Sequence, residues 1–393
     1  MLFSLKRVVD WHIKDPLLKN ILNIQCGDHG VQPRKAAFPL HCALMNHYFQ
    51  GGFYPMGGGG ALIKAMTNTL KKYGGEIRTS TAVKKILIQE SGEKKAIGVE
   101  TEKGKQIFAA NVVSNADPGI TYLNLVGREH ISAKLQKKLD KTEYSSTTLM
   151  LFLTVDMDLR KAGFDSGNIW MMPDKDADEH YDRMRDGNLS QGDTFEGMFI
   201  SCTSLKDPVS YDGKYHTVEA ITLVDYKAFE KFKNENEQRS EAYIMFKKKL
   251  TRKMINGVEK AIPNIGKHIV HAELGTPITN EYYVNTTRGN IYGTEKSLKN
   301  IGPFAFKAKS EIKNLYLCGA SILSHGVAGA SHSGVDTAGI ILGKHPDELK
   351  KPSENQQIRI YEAEDSSDYP EWMLKKIAVR KARAASKKEK IEI

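Results

Sequence analysis

The stretch YPMGGGGALIKAMTNTLKKYGG, Tyr54–Gly75, decides how this chain is read. Four consecutive glycines, Gly57–Gly60, run straight into a pattern in which Ala61, Leu62, Ala65, Met66, Thr69 and Leu70 fall at helical spacing. Gly74 and Gly75 supply the C-terminal stop. Glycine ahead of a helix lets a ligand approach the backbone with no Cβ in the way. The helix N-terminus then offers unpaired N–H groups and a partial positive charge. A second element of this kind, strand then glycines then helix, runs over Leu315–Leu342. Either one alone reads equally well as a tight packing turn.

Between the two elements the pattern changes to period two. Ile77, Val83–Gln89, Ala96–Thr101 and Gln106–Ala109 read as short strands separated by SGEK and EKGK turns. Val112-Val113-Ser114 is a further short strand, ended by the turn-forming Asn115-Ala116-Asp117-Pro118. Residues 1–50 read as helix and loop punctuated by Pro16, Pro33 and Pro39. From 119 to 285 helical segments (Ser132–Asp140, Ser240–Glu259) mix with strands (Ser146–Val155, His216–Val224). Pro173–Asp193 has too few apolar residues for core and reads as a surface loop, and the chain beyond Lys344 reads as a charged tail.

At 393 residues with 40% hydrophobic composition, the chain is long enough for two domains and a sizeable core. No run of 18 apolar residues occurs, and the N-terminus has charges where an export signal needs an unbroken apolar stretch. The four cysteines, Cys26, Cys42, Cys202 and Cys318, form no CxxC pair and no zinc spacing, so no metal is expected and a reducing cytoplasm is the natural home. The net charge of +10 is concentrated: Lys375–Ile393 holds eight basic and two acidic residues and carries +6 of it. Such a tail reads first as a solvated helix or disordered arm and second as a site of attraction to an anionic membrane surface; nucleic acid is not expected as a partner.

Taken together, YPMGGGGALIKAM, TSTAVKKI, GVET, VVSNADP (Val112–Pro118) and NLYLCGASILSHGVAGASHSG (Asn314–Gly334) resemble the FAD-dependent phytoene desaturase, carotenoid isomerase and retinol saturase branch of the amine-oxidase-like flavoproteins. HYFQGGFYPMGG, His47–Gly58, leans toward the saturase and isomerase side. The resemblance implies an α/β (α+β) fold in which an incomplete, Rossmann-like FAD-binding domain is interleaved with a substrate domain of mixed sheet and helices. It divides the chain into 1–52, a helical segment of the substrate domain; 53–118, part of the FAD domain; 119–285, the substrate domain; 286–345, the FAD-domain return with its glycine-rich motif; and 346–393, the tail.

Carried over residue by residue, the resemblance places Tyr54, Pro55, Gly57 and Gly58 near the flavin and substrate cavity, and the Val83 backbone at the adenine end of FAD. It places Gly319, Gly326, Val327 and Gly329 at the start of a helix whose dipole would stabilise the negative charge of reduced flavin. Ala320 departs from the pattern, since many relatives carry an acidic or polar residue against the ribityl or pyrophosphate there. A second departure is larger: no GxGxxG precedes Tyr54, so the ADP-binding unit is expected from a complementary N-terminal segment or a partner chain.

The implied function is an FAD-dependent oxidoreductase acting on carbon–carbon bonds of a polyisoprenoid, carotenoid or retinoid-like lipid, cytoplasmic and in peripheral contact with the membrane. The alternative is a non-catalytic remnant or subunit that binds a lipid or a partner chain. No catalytic side chain stands out. His332 and Asp336 share a helix face but lack metal partners, and Ser321, Ser324 and His325 lie in no GxSxG. His41 and His47 read as core or cavity-lining residues, with His47-Tyr48 placed near the cavity by the resemblance, and Cys318 as a small buried residue.

Overall fold

The computed structural model describes residues 3–172, 176–185, 189, 191–233, 240–350 and 358–389. Strands β1 (Val83–Gln89), β2 (Lys95–Thr101) and β3 (Gln106–Phe108) form an antiparallel meander, as their alternation and turns predict, whereas Ile77 lies outside any strand. A Cβ on Gly98 would lie 2.2 Å from the Ile107 carbonyl oxygen, so only glycine lets β3 close on β2. Strand β4 (Val112–Ser114) runs parallel to β10 (Leu315–Leu317), pairing Leu317 with Ser114. This pairing sets the VVSNADP and NLYLCG segments side by side across two hundred residues of chain. Ile86, Ala96, Val112, Tyr122, Leu315 and Leu317 share one core beneath them.

The larger sheet has five strands in the order β6–β7–β8–β5–β9: β5 (Thr147–Val155), β6 (Asn168–Met171), β7 (Met198–Ser201), β8 (His216–Val224) and β9 (Ile269–Gly275). Its pairings are antiparallel throughout. Leu149, Leu151, Leu153 and Val155 alternate inward along β5, as do Val218, Ala220 and Val224 along β8. That face is covered by helix α8 (Glu241–Ala261), which Ser240 caps through a bond to the Tyr243 amide. Leu250, Met254 and Val258, spaced four apart on α8, are fully buried; each contributes about 1.5–3 kcal/mol of transfer free energy. Short helices α7 (Thr203–Lys206) and α9 (Pro277–Val284) border the sheet.

Helices α1 (Leu5–His12), α2 (Pro16–Asn23) and α3 (Phe38–Tyr48) lie at the start of the chain. Residues from α1 and the turn Cys26–Ala36 pack against Tyr181 of α6 (Ala177–Arg185). The segment Pro173–Asp193 is therefore no simple surface loop. Asp178 and Tyr181 are buried, and Arg34 forms a two-pronged ion pair with Asp182. Residues 173–175, 186–188 and 190 lie outside the described part. Helix α5 (Ala133–Asp140) is capped by Ser132.

Helix α10 (Gly326–Leu342) follows β10 and leads to α11 (Pro346–Leu349). The chain beyond 357 is also less tail-like than its composition suggests. Glu364 bonds Arg160 and the Ser166 amide, Tyr369 and Met373 are buried, and α12 (Glu371–Glu389) carries the basic residues as a helix; Lys390–Ile393 lie outside the described part. No described helix is long and apolar enough to cross a membrane. Helix α4 (Gly58–Lys72) is present where the glycine run predicts it, but a loop rather than a strand precedes it and none of its residues is buried.

Candidate functional site

The C-terminal glycine motif is built by close approach. Gly319, at φ +96°, leaves no room for a side chain: a Cβ there would lie 2.2 Å from Asn115 Oδ1. The Asn115–Pro118 turn thus presses directly on this loop. The Gly319 amide donates to Ser333 Oγ at 3.0 Å, and Thr337 Oγ1 donates to the Leu317 carbonyl at 3.0 Å, so α10 holds the loop that precedes it. Gly329 seats that loop on the helix, since a Cβ would meet the Ser324 backbone at 2.7 Å. At the helix start the geometry opens: nothing lies within 4 Å of a Cβ on Gly326, and Val327 is exposed. Its first amides are available to an anion or an electron-rich oxygen.

The Tyr54–Gly58 turn is held from another direction. Gly57 caps α4 at φ +84°, its amide donating to Asp207 Oδ2 at 2.8 Å, and the Gly58 amide donates to the Pro55 carbonyl at 2.8 Å. Burial raises the Tyr54 phenol pKa, with Glu219 and Asp207 adding to the shift. Among the described residues no hydrogen bond joins this turn, or Val83 at the head of β1, to the 319–329 loop. Ala320 contributes its carbonyl, which accepts from Lys296 Nζ at 2.6 Å; burial lowers the Lys296 pKa to about 8.

A cleft with about 170 Å³ of internal space lies on the sheet face opposite α8. Trp170, Phe199, Ile221 and Leu223 from β6, β7 and β8 form its floor, and Met171, Met172, Met184 and Tyr181 its sides. Gly27 lets the chain close over the Trp170 ring, which a Cβ would meet at 3.0 Å. Methionine and aromatic walls suit a long, apolar, shape-variable ligand. Glu219 shares the β8 face with Ile221 and Leu223, so the Tyr54 turn sits further along the same surface.

At one end the cleft meets the α10 motif. Asp28 and Tyr292 line it, and His325, the residue preceding α10, donates from Nε2 to the Asp28 carbonyl at 2.7 Å. The Tyr292 ring packs on the His325 ring with centroids 4.7 Å apart. Tyr48 donates its hydroxyl to Asp28 Oδ2 at 2.7 Å. Burial, with Lys296 adding a smaller effect, lowers the His325 pKa to about 4, so its ring is neutral near pH 7 and Nδ1 is a buried lone pair without a partner among the described residues. Burial also raises the Asp28 carboxyl pKa, partly offset by the Tyr48 bond. Behind this wall, His29 and His41 stand 3.3 Å apart as a buried pair, and His41 bonds the Leu22 carbonyl.

Of the histidines singled out in the sequence, His41 is core, His47 is exposed, and His332 bonds Lys350 at the surface. Cys318 is half-buried. Asp28, Tyr292 and Lys296 carried no motif. The available signals were Gly27 and Gly30 around Asp28 and the His325-Gly326 step.

No protein-family profile matches the chain. It is 28% identical over 354 residues to all-trans-retinol 13,14-reductase of Danio rerio, covering 87% of this chain and 58% of that protein. Against the Homo sapiens all-trans-retinol 13,14-reductase the figures are 28% over 341 residues, 84% and 55%. The chain is thus similar to the all-trans-retinol 13,14-reductases. Prolycopene isomerase of Arabidopsis thaliana is a more distant relative, 24% identical over 335 residues. The chain spans little more than half the length of these curated relatives, and a Danio rerio relative described as an inactive all-trans-retinol 13,14-reductase is 25% identical. In fold it matches an oxidoreductase from Methanosarcina mazei (TM-score 0.59, 14% identity, covering 86% of this chain and 68% of that one). It also matches putrescine oxidase (TM-score 0.57, 12% identity, covering 87% and 68%). The fold of the chain is thus that of these solved oxidoreductases, as the resemblance carried by its two glycine motifs implies.

Proposed function

We propose that this chain supplies the substrate cleft and the flavin-facing helix of an FAD-dependent oxidoreductase acting on carbon–carbon double bonds of a retinoid- or carotenoid-like polyisoprenoid. The observation that carries the reading is the junction of Asp28, Tyr292 and His325, where an apolar cleft ends against the open N-terminus of α10. The residues present fit a flavin: Gly326 leaves that N-terminus clear, Gly59 and Gly60 do the same at α4, and His325 Nδ1 is an unused acceptor beside it. When bound, a flavin supplies a two-electron hydride carrier.

The chain's own residues do the rest. The amides at the start of α10 stabilise negative charge. The methionine and aromatic walls hold the polyene and keep water from it. Gly319, Gly326, Val327 and Gly329 form the cofactor-facing loop, with the Ala320 carbonyl tied back to Lys296. Tyr54, Pro55, Gly57 and Gly58 border the cleft surface, and the Val83 backbone faces the adenine end. The ADP-binding unit comes from a complementary segment or a partner chain, and α12, with Trp372 exposed near its start, touches an anionic bilayer from which the lipid is drawn.

The test is a visible spectrum of the purified chain with FAD, alone and with a complementary ADP-binding unit, followed by reduction of all-trans-retinol. Retained flavin and a saturated product are expected with the complement. A colourless protein in both arms would refute the reading.

A further inference from the structure

The cleft contains a carboxyl group that the flavin reading leaves unused. Asp28 lines the end of the cleft nearest α10, half-buried, among Tyr292, Trp170 and Met171. Its Oδ2 accepts from Tyr48, while Oδ1 has no partner among the described residues. Its backbone is locked by the bond from His325 to its carbonyl. A carboxyl in an apolar pocket, fixed by its main chain and with one oxygen unengaged, is arranged to give a proton rather than to hold a structure together. Among the described residues no lysine or arginine lines the cleft to keep the carboxyl ionised.

We propose that Asp28 is the proton donor that completes reduction of a double bond held in this cleft. The inference rests on the flavin reading above, with reduced flavin as the reductant. One carbon of the double bond takes up hydride, its neighbour takes the Asp28 proton, and the π bond is replaced by two C–H bonds. Asp28 is left as a carboxylate and is reprotonated from water by way of Tyr48, whose side chain is 45% exposed and so links the pocket to solvent.

The groups around Asp28 leave its titration distinguishable. Tyr48, Tyr292 and Cys26 are all raised by burial, and His325, His29 and His41 are lowered, so their charges change outside the neutral range or not at all. His180 faces the cleft from α6, and Lys296, beyond His325, titrates near pH 8. Raised by burial, Asp28 stays protonated above the ordinary aspartate range and loses its proton as pH rises further.

The experiment uses the flavin-loaded protein with its complement, all-trans-retinol as the probe, and Asp28→Asn, Asp28→Glu and Tyr48→Phe. Infrared difference spectra of the unloaded chain are the readout independent of turnover. Wild type should show a protonated carboxyl band that persists above the ordinary aspartate range and is absent from Asp28→Asn. In turnover, Asp28→Asn should lower kcat about 10²–10⁴-fold with retinol affinity within about twofold, lose the pH limb that falls as pH rises, and be partly rescued by Asp28→Glu.

An unchanged infrared spectrum in Asp28→Asn, or turnover and pH profile unchanged in an active enzyme, would overturn the assignment while leaving the flavin reading intact. Equal losses in Asp28→Asn and Tyr48→Phe accompanied by weakened retinol binding would also overturn it, in favour of a positioning role. A wild-type protein that neither holds flavin nor reduces retinol would remove both.

Discussion

Gly329 and Gly334 lie five residues apart in α10 and differ in one respect. A Cβ on Gly329 would sit 2.7 Å from the Ser324 backbone, whereas a Cβ on Gly334 would meet nothing within 4 Å. Both are helical, so alanine at either gains about 0.8–1 kcal/mol of helix propensity. At Gly329 the new methyl must also push the 319–325 loop away by several tenths of an ångström to reach ordinary contact distance, and overpacking of this kind costs about 1–3 kcal/mol. Gly334→Ala should therefore stabilise the chain by somewhat under about 1 kcal/mol, and Gly329→Ala should be neutral or destabilising by up to about 2 kcal/mol. The propensity gain is common to both, so the difference isolates the loop–helix contact. Urea unfolding followed by far-ultraviolet circular dichroism at pH 7 measures it. Equal stabilisation by the two substitutions would refute the claim that Gly329 exists to seat the loop, and with it the account of how His325 is held against Asp28.

Three further outcomes follow from the structure. His325 is neutral in the fold down to about pH 4 but takes a proton near pH 6.5 when unfolded, so its contribution is complete above pH 6.5 and is lost as pH falls toward 4, by up to about 3 kcal/mol; His325→Gln should flatten that part of the stability–pH curve, and an unchanged slope would remove histidine from the explanation. Met254 is fully buried between α8 and the five-stranded sheet, so Met254→Ala should cost about 2–5 kcal/mol in urea denaturation; a cost below about 1 kcal/mol would mean the core there is loose. Among the described residues Asp207, which follows α7, is the acceptor for the Gly57 amide, so Asp207→Ala should speed amide exchange at Gly57 while leaving exchange in β8 unaltered, and protection retained at Gly57 would show that another group holds the turn.

What was legible in the sequence was whatever depended on neighbours in the chain. Strand β8 runs over His216–Val224, the limits its alternation predicts, and α8 begins after Ser240 because a serine ahead of an apolar helical run caps it wherever it occurs. The glycine motifs were legible for the same reason. Tyr181 was not: a single aromatic in an acidic, polar stretch is buried only because α1 and the Cys26–Ala36 turn supply the other half of its core. Tyr369 and Met373 behave likewise in the charged C-terminal stretch, where Glu364 reaches back to Arg160. The site shows the limit most clearly, since Asp28 and His325 are 297 residues apart and no periodicity relates them.

Helix α4 offers a different kind of information. Fifteen residues long and with no side chain buried, it exposes Ile63, Met66 and Leu70 and has its own ladder of hydrogen bonds for support. Helices of this length are marginal on their own in water. Its amides should therefore exchange with solvent readily until something is laid over that apolar face, and then become slow. Deuterium uptake along Gly58–Lys72 is thus a gauge built into the chain: it would read whether that face is covered in any preparation, before an activity has been found to follow.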